Sequence, residues 1–219
     1  MTDSWDGNAP QQKTISNYNT NPLQMTGVIS PEGVFYQGLA SGVIAVGGPT
    51  PRYGIGITKN GYSFSNNVSF DGAGHTYAAE AINELSGNVL QWNGVNFTDI
   101  NPNSTDFTWA NGQTIQIEGA GGNVLNLAGA GIGLNGKVGD VTTATITVNF
   151  TDGTSSNWIQ NFSNWCQPTY QLGEAIIASQ SYRYTQSQTI GGAPSSDPTE
   201  NYIYGYSYPV PTGKTVASI

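Results

Sequence analysis

The chain has 219 residues, of which 37% are hydrophobic and only 9% are charged, and its net charge is −8 at pH 7. Its six lysine and arginine residues stand singly, which excludes the basic stripe that nucleic acids or anionic membranes bind. No apolar run approaches the roughly 20 residues of a membrane-spanning helix, so membrane insertion is not expected. A surface with so little charge must be built from Asn, Ser, Thr, Gln and Gly, which suits an extracellular or acidic setting.

The N-terminus and the single cysteine give two further expectations. Residues 1–5 show neither the basic start nor the apolar core of a signal peptide. Because the composition is typical of secreted proteins, we interpret the chain as a mature or excised segment with an added methionine. Cys166 has no second cysteine to pair with, and we expect a buried small side chain there. A nucleophilic Cys166 would need His75, the only histidine, as its base.

The first quarter of the chain combines a polar arm with short strand signals. Residues 1–20 are polar, whereas 23–29 and 34–46 contain the apolar and β-branched residues that predict strands. Residues 53–58 alternate with glycine and lead into a hairpin-type turn at 59–61.

The segment that follows contains the one helix prediction and a clear hairpin. Residues 77–85 are rich in alanine and end at Gly87, which predicts a short helix. Residues 89–97 are divided by Asn93-Gly94, a dipeptide that favours a two-residue β-turn between antiparallel strands.

Strand signals then recur through the rest of the chain, at 107–109, 114–118, 143–150, 156–162, 175–184 and 202–208. The clearest strand is 143–150, whose alternation points Ile146, Val148 and Phe150 inward. Residues 151–154 form the turn of a hairpin, and 190–200 form a loop of Gly, Pro and Ser. This pattern predicts an all-β fold, an antiparallel β-sandwich or jelly roll with one short helix.

Several motifs occur in an order that resembles a known family. They are Phe70-Asp71-Gly72, Gly94-Val95-Asn96-Phe97, Phe107-Thr108-Trp109, Ile146 to Thr154, Phe162-Ser163-Asn164-Trp165 and Pro211 to Val216. Over residues 61–219 the chain resembles the galactose-binding-like modules of secreted bacterial glycoside hydrolases and cell-surface proteins. The resemblance implies a β-sandwich that is usually non-catalytic, often carries a structural Ca²⁺ and sometimes binds sugar.

The N-terminal region departs from that pattern. In such modules a final apolar strand follows the Gly-Lys-Thr-Val strand, whereas this chain stops at Ile219, and a match to the missing strand lies at 14–29. We therefore divide the chain into an N-terminal arm with strands at 1–60 and a β-sandwich at 61–219. The N-terminal strand completes a sheet either in its own chain or in a neighbouring copy. Its apolar side chains would be Leu23, Met25 and Val28.

A glycine-flanked acidic turn at Asp71 leaves two interpretations open. It is an ordinary turn, or its carboxylate and carbonyl oxygens hold a Ca²⁺ ion with Glu80 as a further ligand. Asp99 or Asp106 would add ligands if the fold brings them close.

Aromatic side chains are the candidate ligand-binding residues, because sugars stack on flat rings. The candidates are Trp92, Trp109, Tyr202, Tyr204 and Tyr206. Together with Tyr208, the tyrosines alternate along one strand, which places them on one face. That face is either an exposed contact surface or half of a packed interface.

We thus expect a secreted or cell-surface, non-catalytic module that binds a carbohydrate or attaches a protein to a surface glycan. The second hypothesis is a subunit of an extracellular fibre that assembles by strand exchange between copies. The third is a fragment of a glycoside hydrolase, which would need a carboxylate pair in a cleft.

Overall fold

The structure is a computed structural model, and it describes residues 22–24, 34–35, 46–47, 53–65, 69–97, 102–103, 107–108, 110, 112, 114–117, 122–132, 141–187 and 192–219. These residues form strands, turns and one single-turn 3₁₀ helix, so the all-β prediction is confirmed. Five candidate residues lie outside the described part: Met25, Val28, Asp99, Asp106 and Trp109.

All described strands of more than four residues lie in the second half of the chain. The first half contains β1 (Pro22–Gln24), β2 (Val34–Phe35), β3 (Val46–Gly47), β4 (Tyr53–Gly54), β5 (Ile57–Thr58), β6 (His75–Ala78), β7 (Leu85–Ser86), β8 (Val89–Trp92), β9 (Val95–Phe97), β10 (Phe107–Thr108) and β11 (Thr114–Ile115). The second half contains β12 (Val124–Ala130), β13 (Val141–Phe150), β14 (Ser155–Ser163), β15 (Glu174–Gln180), β16 (Arg183–Thr185), β17 (Ser195–Asp197), β18 (Asn201–Pro209) and β19 (Val216–Ser218).

Two main sheets pack against each other in a sandwich-like arrangement. The first sheet has the order β1-β12-β18-β15, and β2 also pairs with β12. The second sheet has the order β14-β13-β19, and β19 continues to β11 through a hydrogen bond of 2.8 Å from the Ile115 N–H to the Ile219 carbonyl. Aromatic rings of β14 and β18 pack between the two sheets. The ring centroids of Phe162 and Tyr206 lie 4.5 Å apart, and those of Trp158 and Tyr208 lie 5.4 Å apart.

The β13–β14 hairpin confirms the strongest strand prediction. Ile146 and Val148 are buried whereas the threonines between them face outward, as period-two alternation requires. The turn closes at Gly153, whose φ of +82° is a conformation that glycine adopts readily. The Asn93-Gly94 hairpin between β8 and β9 is confirmed as well, with both turn residues at positive φ.

The strand predicted at 175–184 is two strands, β15 in the first sheet and β16 in a third, smaller sheet of order β17-β16-β6-β5. The chain leaves the first sheet after Gln180, and β16 pairs with β6 and β17 instead. β17 itself lies within the predicted loop at 190–200. The third sheet therefore brings residues from distant parts of the chain together.

The predicted helix at 77–85 is wrong in extent. Tyr77 and Ala78 belong to β6, and only Ala79–Ala81 form a 3₁₀ turn before Ile82 returns to an extended conformation. The Ala78 N–H donates to the side-chain carbonyl of Gln180 at 2.8 Å, so a tertiary partner prevails over the helix propensity of alanine. Among the described residues, no helix has the length and hydrophobicity that a membrane span requires.

The N-terminal strand pairs within its own chain. Pro22–Gln24 runs parallel to β12, with Leu23 opposite Leu125. It therefore extends the first sheet and does not lie beside residues 212–219, which border β13 of the second sheet. Exchange of this strand between copies stays a prediction.

Candidate functional site

An open pocket of about 860 Å³ lies on the third sheet, on the face opposite the main core. Its described lining consists of neutral polar groups, two tyrosines and two prolines. We call it the tyrosine pocket and define it by Asn60, Ser181, Tyr182, Tyr184, Pro194, Ser195, Ser196 and Pro198. Three distant segments of the chain thus contribute to one concave surface.

Successive side chains of β16 point to opposite faces of the third sheet, which determines which of them face the pocket. Arg183 points toward the core face, where its Nε lies 2.8 Å from Asp197 Oδ2 and its guanidinium lies 5.2 Å from the Trp165 ring. Tyr184 points to the opposite face. Its ring is only 4% exposed and packs in a small cluster with Phe64.

The two pocket tyrosines meet edge to face. The ring centroids of Tyr182 and Tyr184 lie 5.8 Å apart at 74°, and Tyr182 is the more exposed of the two. An edge-to-face pair is a favourable aromatic geometry, so the buried ring of Tyr184 holds the partly exposed ring of Tyr182 in place.

A carboxylate beside the pocket fixes Tyr184 in its neutral form. The Tyr184 hydroxyl donates to Glu80 Oε2 at 3.2 Å, and Glu80 Oε1 accepts the Asn60 N–H at 3.0 Å. Burial raises the pKa of Tyr184, and the hydrogen bond with Tyr182 and the charge of Glu80 raise it further. The pocket therefore presents neutral hydroxyl and amide groups beside aromatic rings.

Two of the predicted ligand-binding tyrosines are fully buried. Tyr204 and Tyr206 are 0% exposed, and their hydroxyls donate to the Asn164 carbonyl and to Glu174 Oε2 at 2.9 and 2.8 Å. They form half of a packed interface, which was one of the two interpretations of the tyrosine pattern, and they present no ring to a ligand. Tyr202 is partly exposed and donates to Glu200 at 2.7 Å.

Trp92 ends β8, which belongs to a separate sheet of order β7-β8-β9, and it does not line the tyrosine pocket. Its indole packs over Gly205, where a Cβ would approach Cδ2 of the indole to 2.7 Å. The neighbouring Asn93 amide donates to Asn126 Oδ1 at 3.0 Å. Trp92 is partly exposed, and its role as a ligand-binding residue stays a prediction.

The two predicted calcium ligands, Asp71 and Glu80, bind different partners at opposite ends of β6. Asp71 Oδ2 lies 2.6 Å from His75 Nδ1, and its Oδ1 accepts the Ala73 N–H at 2.8 Å. Burial alone would raise the pKa of Asp71, but its hydrogen bonds and the charge of His75 lower it below the ordinary value. No group of three or more His, Cys, Asp and Glu side chains in the described part of the chain is arranged to hold a metal. Calcium binding stays a prediction.

Cys166 is partly buried and accepts hydrogen bonds rather than meeting a base. Its Sγ lies 3.2 Å from Asn201 Nδ2 and 3.5 Å from Arg183 Nη1. Burial raises the pKa of the thiol, although the charge of Arg183 opposes the shift. The imidazole of His75 is bound to Asp71, so the geometry supports the structural interpretation of this cysteine.

Sequence reasoning missed the residues of the tyrosine pocket. The available signal was the alternation Tyr182-Arg183-Tyr184 beside a Pro- and Ser-containing stretch at 194–198. Recognising it as a site required the pairing of β16 with β17, which strand periodicity alone does not give. No protein-family model and no curated protein sequence matches the chain.

Proposed function

We propose that this protein is a non-catalytic, extracellular carbohydrate-binding module and that the tyrosine pocket is its binding site. The observation that carries the proposal is the chemistry of the pocket, which combines aromatic and proline surfaces with hydroxyl and amide groups. A sugar offers flat C–H faces and a rim of hydroxyls, and this lining complements both.

Size and charge support a neutral glycan. Ligand pockets span roughly 300–1,000 Å³, and the tyrosine pocket falls within that range at about 860 Å³. The described lining contains no lysine or arginine, and the carboxylate of Glu80 lies next to Tyr184. An anionic sugar would therefore meet a negative charge without a compensating cation, whereas a neutral sugar would not.

The substitution Tyr182→Ala tests the site. We expect it to weaken polysaccharide binding at least about tenfold, because it removes the partly exposed ring on which a sugar would stack. Affinity electrophoresis through gels that contain neutral polysaccharides measures the effect. The matched control is Tyr170→Ala, since Tyr170 is 46% exposed and does not line the pocket.

Two results would contradict the proposal. One is that no neutral polysaccharide retards the wild-type protein in the gel. The other is that Tyr170→Ala weakens retardation as much as Tyr182→Ala does, because binding would then depend on aromatic surface in general.

A further inference from the structure

Within the described part of the chain, β14 is a long edge strand without the usual protection of sheet edges. Among the described residues it pairs only with β13, over nine consecutive register positions without a bulge. Its sequence, Ser155–Ser163, contains no charged residue and no proline. Natural sheets protect their edges with charges, proline, bulges or very short strands, because an open edge pairs with other strands.

The other described edge strands carry such protection. β15 has a register shift between Ile176 and Ala178, β17 has three residues that end at Asp197, and β5 has two residues. Every other described edge strand, β1 and β9 included, has only two or three residues. β14 is therefore the exception among the described edges.

The contacts of Ser163, the last residue of β14, show which backbone groups of this strand point away from β13. The Ser163 N–H donates to Glu174 Oε2 at 2.8 Å, so Ser163 directs its backbone outward from the hairpin. Because the direction alternates along a strand, Ser155, Asn157 and Ile159 share this orientation. Asn161 shares it as well, but its carbonyl accepts the Gln160 side-chain amide at 2.8 Å. The stretch 155–159 remains as the open part of the edge.

This open stretch is complementary to itself. A two-fold axis through Asn157 would pair it with Asn157 of a second copy and would place Ser155 opposite Ile159 on both sides. No like charges would meet, because the stretch is uncharged. Ile159 is 69% exposed, and pairing would bury part of its apolar surface in both copies.

We propose that residues 155–159 of β14 bind the same strand of a second copy in antiparallel orientation, which joins the two second sheets into one continuous sheet. The partner is a second copy of this chain. The interface uses β14, whereas the tyrosine pocket lies on the third sheet, so the inference stands independently of the proposed function.

Sedimentation equilibrium of the full chain, with and without Asn157→Lys, tests this interface in 0.15 M salt. We expect wild-type dimers that dissociate reversibly on dilution. Asn157→Lys would place two positive charges opposite each other at the axis, so we expect association to weaken at least about tenfold. The matched control is Thr147→Lys, since Thr147 lies opposite Asn157 on the inner strand β13 and is also exposed. It should change the association constant less than about twofold.

Circular dichroism of each variant establishes that the fold is kept. A wild-type protein that remains monomeric at all concentrations would overturn the proposal. Equal weakening by Asn157→Lys and Thr147→Lys would also overturn it, because net charge rather than edge pairing would then control association. An unchanged association constant in Asn157→Lys would place any dimer interface elsewhere and overturn it as well.

Discussion

Glu174→Ala is expected to lower the free energy of unfolding by about 3–5 kcal/mol. Glu174 is 1% exposed, and its carboxylate accepts the Ser163 N–H at 2.8 Å, the Ser163 hydroxyl at 2.5 Å and the Tyr206 hydroxyl at 2.8 Å. Alanine would leave the Ser163 N–H and the Tyr206 hydroxyl buried without an acceptor between β14, β15 and β18, whereas the Ser163 hydroxyl would keep Thr169 Oγ1 at 2.8 Å. Urea denaturation, analysed by linear extrapolation, measures the loss.

Glu200→Ala is the matched control for this prediction. Glu200 also accepts a tyrosine hydroxyl, from Tyr202 at 2.7 Å, but it is exposed to solvent. Water replaces a lost partner at such a site, so the free energy of unfolding should change by less than about 0.5 kcal/mol. Equal losses in Glu174→Ala and Glu200→Ala would contradict the role assigned to the buried carboxylate.

The same carboxylate makes stability depend on pH. Burial raises the pKa of Glu174 above 4.5, and its hydrogen bonds offset the shift only in part. Because the folded protein then binds the Glu174 proton more tightly than the unfolded chain does, the free energy of unfolding is highest below pH 4.5 and falls as pH rises through the folded-state pKa. Glu174→Gln cannot ionise, so its stability relative to wild type should improve from pH 4 to pH 7. A constant difference would show that Glu174 keeps an ordinary pKa.

Gly205→Ala is expected to lower the free energy of unfolding by up to about 3 kcal/mol through steric overlap. A Cβ at this position would lie 2.7 Å from Cδ2 and Cε2 of Trp92 and 2.7 Å from Cγ2 of Ile177. Residue 205 lies in the middle of β18, where the backbone cannot retreat without disturbing its pairing with β12 and β15. Urea denaturation provides the measurement.

A double-mutant cycle with Trp92→Ala isolates the cause of this loss. The indole contact is absent in that background whereas the Ile177 contact remains, so Gly205→Ala should cost less there than in the wild-type protein. An equal cost in both backgrounds would show that Trp92 does not limit the space at residue 205.

The β13–β14 hairpin was predictable from the sequence because its determinants are local. The alternation of Thr with Ile146, Val148 and Phe150 fixes which side faces the core, and Asp152-Gly153 supplies the turn. The same reasoning placed the tyrosines of β18 on one face and left open whether that face is exposed or packed. Tyr204 and Tyr206 are buried because β14 covers them, whereas Tyr202 and Tyr208 are partly exposed, and this difference follows only from the packing of the two sheets.

The tyrosine pocket and the false helix were not predictable for the same physical reason. The pocket depends on the pairing of β16 with β17 across residues 186–194 and on Asn60, which is distant from both strands in the chain. The helix at 77–85 followed from alanine propensity, yet in the extended form the Ala78 N–H donates a buried hydrogen bond to Gln180 Oε1.

Chemical-shift mapping by NMR tests the proposed binding site most directly. The ¹⁵N-labelled protein is titrated with an oligosaccharide fragment of the polysaccharide that retards it most in affinity electrophoresis. The tyrosine pocket predicts that the largest shifts fall on the backbone amides of Tyr182, Ser195 and Ser196, with smaller shifts at Asn60. Largest shifts at Trp92 and Asn93 in the β8–β9 hairpin, or no shifts at the pocket, would contradict the proposed site.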